Sequence, residues 1–326
     1  MQRLVLIDGH AIAYRAYHAL PPLTSRGGQL VNAVYGFTSM LLKVIADLKP
    51  THIAVAFDLP VPTFRHEAYI AYQAKRPAMD REMSDQLEWV REVVEAAGIP
   101  IYTSPGFEAD DVIGTLALQA VQTQKSKVKI DEVVIVTGDR DMMQLVGRKV
   151  KVYAPIKGLS EARLFDSKGV KEYIGVAPSQ IVDYKALMGD SADNYPGVPG
   201  IGPKTAVALI EQFGSLENLY KKMENGKWKM ENVSLATAEK LKEGHDAAML
   251  SQKLARIVAD APVKLDLEHA KLTKPEGNEK LIEKLREFGF RSLIKRVGGE
   301  DGGERKSSKG RSASGRKKGS GQMNLV

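Results

Sequence analysis

The sequence predicts an α/β protein, with a mostly parallel central sheet, helices on both faces and a helical region following it. Three observations predict this. Short apolar, β-type runs recur at 3–7, 52–57 and 131–137, separated by helical stretches. Each run leads into an acid, namely Asp8, Asp58 and Asp139, as expected where ligands bind beyond the carboxyl ends of parallel strands. After about residue 160 the pattern turns helical and predicts no further strand.

In chain order, Arg3–Ile7 reads as a buried strand ending at Asp8-Gly9-His10. Ala11 to Leu20 reads as a helix that Pro21-Pro22 stops. A loop over 23–28 precedes a helix from Asn32 to Leu48. His52–Phe57 is the second strand. Residues 59–85 differ in texture, mixing charges, prolines and aromatics with little periodicity. Gln86 to Ala97 is an amphipathic helix that Gly98 ends, and Ile99–Tyr102 is a short strand. Asp131–Thr137 and Lys149–Tyr153 are the next strands, and Ile181–Met188 and Thr205–Phe213 are helices.

The chain has 326 residues, enough for one large domain or two smaller ones. It contains no cysteine, which excludes disulfides and thiolate metal sites. The N-terminus turns acidic too soon for a signal peptide, and no apolar stretch approaches the roughly 18 residues of a membrane span. A cytoplasmic, monomeric protein is expected. The formal charge is +7, but residues 305–326 hold seven Lys/Arg and no Asp/Glu, so residues 1–304 are balanced. Any nucleic-acid surface on the body must therefore come from segregated charge.

Glu108-Ala109-Asp110-Asp111 places three carboxylates at the start of a predicted helix, after the turn Ser104-Pro105-Gly106. One or two acids there need no reason beyond the helix dipole. Three together repel one another and call for cations. Asp8, Asp58, Asp139 and Asp141 arrive at the same sheet edge from other strands, a placement that a metal site explains and solvated loops do not.

Gly189-Asp190-Ser191-Ala192-Asp193-Asn194 is followed by a glycine-rich turn, Gly197 to Thr205, that opens a helix. Gly197, Gly200, Gly202, Lys204 and Thr205 suit a phosphate backbone, although the spacing is not that of a Walker loop. An ordinary helix–helix connector is the plainer alternative. Residues 298–326 are dominated by Gly, Ser, Lys and Arg and read as a disordered basic tail.

In combination, Leu6-Ile7-Asp8-Gly9, Val55-Ala56-Phe57-Asp58, Phe64-Arg65-His66-Glu67, Gly106–Asp111, Thr137–Asp141 and Gly189–Asn194 resemble the 5′-nuclease superfamily. The closest likeness is to the bacterial 5′→3′ exonuclease and flap endonuclease that also forms the N-terminal part of DNA polymerase I. The likeness runs from about residue 3 to residue 296. It implies a PIN-like nuclease core with metal site over 1–180, a helix–two-turn–helix and helical DNA-binding region over 181–297, and the tail. It also implies metal-dependent phosphodiester hydrolysis in replication and repair. Asp8, Asp58, Glu108, Asp110, Asp111, Asp139, Asp141, Asp190 and Asp193 match the family's metal-binding set, which implies two Mg²⁺ or Mn²⁺ ions. K⁺ is a further expectation, at the two-turn element.

By the same resemblance, residues 59–85 form a helical arch holding a single-stranded 5′ end. Arg65, Lys75, Arg76 and Arg81 are then expected to contact phosphates, and Tyr69 and Tyr72 to stack bases. The family's usual lysine after the tyrosine is here Gln73. Tyr14 is expected to stack beside the scissile phosphate or else to be a packed core residue. The partners implied are branched, nicked or 5′-ended DNA, with no membrane. Gln322-Met323-Asn324-Leu325-Val326 is similar to peptides that dock on the bacterial sliding clamp, with Val326 replacing an aromatic. Lacking a following polymerase, the chain resembles a stand-alone nuclease. A non-cutting junction-binding protein and an acidic-cluster ribonuclease are the competing readings.

Overall fold

A computed structural model describes residues 1–122, 128–158, 161–224 and 235–300. From residue 301 the expected tail, including the candidate clamp peptide, lies outside the described residues.

Six strands form one sheet: β1 (Arg3–Asp8), β2 (His52–Ala56), β3 (Ile101–Tyr102), β4 (Glu132–Val136), β5 (Val150–Lys157) and β6 (Glu161–Phe165). Their spatial order is β3-β2-β1-β4-β5-β6, all parallel except the β5–β6 pair. β1 sits between β2 and β4, with Asp8 opposite Ala56 and Ile7 opposite Val136. The chain leaves β1 to one side and returns for β4 on the other, so a crevice opens above these strand ends. The expectation of no strand beyond residue 160 fails at β6. This short edge strand is mostly exposed, so it carries almost none of the apolar signal that marks a buried strand.

Asp8 ends β1 and caps α1 (Gly9–Ala19), its Oδ1 accepting from the Ala11 amide at 2.9 Å. α2 (Asn32–Leu48) follows as expected, and α3 (Phe64–Ala68) is a single short turn in the arch region. α4 (Arg81–Ala96) begins earlier than its periodicity suggests, because Asp80 accepts from the Met83 amide at 2.7 Å and caps it. α5 (Ala109–Gln122) carries the acidic motif, with Glu108 just before it.

The helical series continues with α6 (Ser167–Ile174), α7 (Ile181–Met188), α8 (Pro203–Phe213), α9 (Leu216–Glu224), α10 (Leu235–Glu243) and α11 (His245–Ala255). It ends with α12 (Glu279–Glu287) and α13 (Arg291–Arg296). One apolar cluster runs from Leu4 and Leu6 through Ile113 and Leu116 to Leu187, Leu209 and Leu219. Sheet and helical region therefore share a core. On the opposite face Val5, Ile7, Phe37, Leu41 and Val90 pack with Leu285 and Leu293. The last two helices thus return to the first helices instead of extending the region over 181–297.

Between α11 and α12 the chain runs as a strap along α5, held by polar side chains spaced four apart. Asp111 Oδ1 accepts from the Val258 amide at 3.0 Å, and Thr115 Oγ1 accepts from the Ala261 amide at 3.0 Å. Gln119 donates to the Val263 carbonyl and accepts from the Leu265 amide, both at 2.8 Å. The i, i+4, i+8 spacing puts all three on one helix face.

The loop carrying Asp190 and Asp193 depends on two glycines packed backbone to backbone. A Cβ on Gly197 would lie 2.2 Å from the Gly189 nitrogen, and both residues have positive φ. Gly197→Ala is therefore expected to cost more than about 1 kcal/mol. It should also lower the thermal midpoint and, by displacing this loop, reduce metal affinity. An unchanged melting temperature would contradict the close approach.

Candidate metal and nucleic-acid site

The sheet edge gathers acids from four elements, and backbone amides aim several of them. Asp8 accepts from the Ala11 amide and, through Oδ2, from the Thr137 hydroxyl at 2.8 Å. Asp58 Oδ1 accepts from the Ala109 amide at 2.7 Å and so caps α5 from a different loop. His10 Nδ1 accepts from the Asp58 amide at 3.1 Å, and burial lowers its pKa, so it is a neutral spacer here and not an ion-pair partner of Asp58. Asp139 Oδ1 accepts from the Asp141 amide at 2.8 Å, which folds the Gly138–Asp141 turn over the end of β4.

The helical region delivers Asp190 and Asp193 to the same place. Asp141, Asp190 and Asp193 each offer a carboxylate oxygen within 4.8 Å of the others. Lys185, one turn before Asp190 on α7, donates to Asp141 Oδ1 at 2.7 Å and also to Asp190 Oδ2. Arg76 Nη2 reaches Asp193 Oδ1 at 2.6 Å.

The electrostatics record how crowded these acids are. Burial, reinforced by Asp58, pushes Asp8 up to about 7. Burial and the facing Asp139 do the same to Asp141, also to about 7. Glu108 rises to about 7 through burial, despite Arg65 beside it. Asp110 is raised by burial and by repulsion from Asp139, Asp8, Glu108 and Asp58. Asp193 is raised by burial as well. Burial also opposes ionisation of Asp190, but Lys185 outweighs it and holds that carboxyl below the usual range. Asp141 and Asp190 together raise the Lys185 ammonium against its burial.

Two of the nine sequence-derived acids need separate treatment. Glu108 lies between the cluster and the arch: Oε1 accepts from Thr63 Oγ1 at 3.2 Å, and Oε2 from Tyr72 OH at 3.3 Å, with Arg65 Nη1 also 3.3 Å away. Asp111 is fully buried behind it, and both its oxygens are taken by Arg65 and by backbone amides.

Three of the expected DNA contacts are corrected. Arg65 is 2% exposed and forks onto Asp111, so it presents nothing to a phosphate. Tyr72 is 4% exposed and packs with Tyr195 and Leu254, with Tyr69 against the same cluster, so neither ring is free to stack a base in this conformation. Asp111 holds Arg65 inward and Glu108 holds Tyr72, while Tyr69 packs against the same apolar cluster. Lys75 and Arg81 are exposed, as are Gly200, Gly202 and Lys204 on the two-turn element, whereas Thr205 is half-buried and Gly197 buried. Tyr14 is 52% exposed. It lines an open cleft of ≈ 640 Å³ together with Arg15, Asp139, Arg140, Asp141 and Lys185.

Lys185 was missed from sequence. Its signal, a lysine one helical turn before the Gly-Asp pair, reads as an ordinary helix-surface charge. All-carboxylate donors suit hard divalent cations, and three of them converge within ligand range, so these residues fit such ions.

An acid raised above its unfolded pKa stabilises the fold below the unfolded value and loses that contribution as pH rises through the folded value. For Asp8, Glu108 and Asp141 the window runs from the ordinary 3.8–4.5 to about 7. Metal-free protein should therefore lose thermal stability between about pH 4 and pH 7, and Mg²⁺ should raise the melting temperature more at the upper pH. Equal Mg²⁺ effects at both ends would contradict this.

The family model described as the 5′-3′ exonuclease N-terminal resolvase-like domain matches residues 3–175, and that of the 5′-3′ exonuclease C-terminal SAM fold matches 176–278. DNA polymerase I of Bacillus caldotenax is 43% identical over 300 residues, which is 91% of this chain and 32% of that protein. DNA polymerase I of Bacillus subtilis is 40% identical over 303 residues, 93% of this chain and 33% of that one. The chain thus spans only a minor part of these relatives' length. Among solved structures, T5 5′-exonuclease with bound zinc superposes with a TM-score of 0.62 at 18% identity, covering 91% of this chain and 97% of that one. The catalytic core of Rad2 in complex with DNA substrate superposes at 0.56 and 17%, covering 91% of each. At those identities the likeness establishes the fold.

Proposed function

The chain belongs to the 5′-3′ exonuclease family of metal-dependent nucleases, and on that premise we propose that it is a structure-selective 5′→3′ exonuclease and flap endonuclease acting on branched, nicked or 5′-ended DNA and RNA-primed ends. The convergence of Asp8, Asp58, Glu108, Asp110, Asp139, Asp141, Asp190 and Asp193 at the strand ends carries this reading. These eight would hold two Mg²⁺ or Mn²⁺ ions. Bound there, such ions supply the Lewis acidity that activates a water and stabilises the departing oxygen of a phosphodiester.

The chain's own residues do the rest. The surplus of carboxylates repels a phosphate that arrives without metal, which couples substrate binding to metal loading. Tyr14, exposed at the mouth of the cleft, offers its ring to the base next to the cut. Arg76 neutralises Asp193 until substrate arrives and is then placed to pair with a phosphate. Lys204 and the amides of the Gly197–Thr205 turn hold the duplex by its backbone without reading sequence, and K⁺ in that turn would add to the grip. Asp190 and Asp193 precede the same turn directly, so the distance from gripped duplex to cut phosphate is set within one segment. The basic tail adds salt-sensitive attraction. Its final peptide, Gln322–Val326, is proposed to tether the protein to the sliding clamp.

Cleavage of a 5′-flap DNA with Mg²⁺ and with chelator tests the reading. Cutting near the junction only with metal is expected; tight binding without cutting under either condition would overturn it and leave a junction-binding protein. Asp139→Ala should abolish cutting while flap affinity stays within about twofold, whereas Lys204→Ala should weaken binding about 3–10-fold and reduce its salt dependence. Equal binding losses in the two variants would contradict this division of labour. Clamp recovery in a pull-down should fall when residues 322–326 are removed; equal recovery would dispose of the tether.

A further inference from the structure

Arg65 and Asp111 are the most heavily bonded charged pair among the described residues, and neither reaches open solvent. Arg65 Nη1 and Nη2 meet Asp111 Oδ2 and Oδ1 at 2.7 and 2.9 Å. Two further guanidinium donors go to backbone: Nε to the Leu254 carbonyl and Nη2 to the Arg256 carbonyl, both at 2.9 Å. Asp111 in turn accepts from the Glu108 amide at 3.1 Å and the Val258 amide at 3.0 Å. Three segments thus meet at one ion pair: the arch root on α3, the start of α5, and the strap that follows α11.

This accounting leaves Asp111 no oxygen directed toward the acid cluster. Two donors satisfy each of its oxygens. Its partner Arg65 also approaches Glu108 Oε2 at 3.3 Å, the same oxygen that Tyr72 OH reaches at 3.3 Å, while Thr63 holds Oε1. Both oxygens of Glu108 are therefore presented by arch-root side chains. A few residues on, the Gln73 amide donates to the Asp193 carbonyl at 2.9 Å and the Asn194 side chain to the Ala71 carbonyl at 2.6 Å. The arch root is pinned at one end to Asp111 and at the other to the loop that carries Asp193.

We infer that Asp111 is not a metal ligand but, with Arg65, a positioning pair that fixes the arch root and through it the orientation of Glu108. The inference deepens the nuclease reading and rests on it for its kinetic arm only. The pair acts by geometry. An isolated Asp111→Asn would strand the buried Arg65 charge and risk unfolding, so the main variant is Arg65→Met/Asp111→Leu, which replaces both charges with apolar groups of similar volume. Arg65→Lys is the second, because it keeps the charge but loses the fork and the carbonyl contacts.

Binding of Mn²⁺ alone, followed by calorimetry and by the spectrum of the free ion, reads ligation without any cutting. The double variant should bind as many ions as wild type, with affinities within about threefold; loss of an ion would show Asp111 to be a ligand and overturn the inference. Single-turnover cleavage of a 5′ flap at saturating Mn²⁺ should fall about 10–100-fold in both variants, with KM changed less than about threefold and amide exchange of residues 69–76 accelerated. Cleavage equal to wild type would overturn it from the other side. Should wild type itself fail to cut, the nuclease reading falls, while the ion count still decides the place of Asp111.

Discussion

Mutual repulsion among carboxylates is the constraint on which the rest of this structure depends. Asp141, Asp190 and Asp193 lie within ligand range of one another, and acids from strands, a helix and a loop around them are driven up toward neutrality by burial and by one another. A cluster of this kind destabilises the fold unless something positive or hydrogen-donating answers it. The protein answers in two ways. Backbone amides at the starts of α1 and α5 take one oxygen each of Asp8 and Asp58, and Lys185 and Arg76 lie directly on Asp141, Asp190 and Asp193. Both cations lie on long side chains that meet these acids at their carboxylate oxygens. Arg65 differs in kind, being buried and held by two backbone carbonyls besides its acids.

That contrast organises the site. Permanent polar contacts sit behind it, where α5 is laced to the strap by Asp111, Thr115 and Gln119. More exposed contacts sit in front, where Arg76 meets Asp193 and Lys185 spans Asp141 and Asp190. The glycine pair at 189 and 197 lets that loop approach the strand ends closely, and the same stretch continues into the exposed two-turn element. One run of chain thus positions both Asp190 and Asp193 and the exposed glycine-rich turn that follows them.

Much of this could be read from the sequence because strand ends leave a plain mark: an apolar run followed by an acid. Asp8, Asp58 and Asp139 were visible for that reason, and so was Asp110, because acids in a first helical turn are conspicuous beyond one or two. What could not be read has a common cause. Direction of a side chain depends on partners distant in sequence, and residues 65, 72 and 111 look like any arch arginine, arch tyrosine or motif aspartate until 254–258 are folded against them. Lys185 was hidden because a helix-borne lysine has no distinguishing neighbour pattern. β6 was hidden because an exposed edge strand needs no apolar alternation. The shared core of sheet and helical region, and the return of α12 and α13 to the first helices, are likewise long-range facts.

The most direct measurement is a crystal structure of the protein soaked in Mn²⁺, with anomalous scattering locating the ions. The account places an ion among Asp141, Asp190 and Asp193 with the Lys185 ammonium withdrawn from both aspartates, and leaves Asp111 on Arg65. Anomalous density absent from the cluster, with Lys185 still bridging Asp141 and Asp190, would contradict the claim that these acids are assembled to be answered by divalent metal.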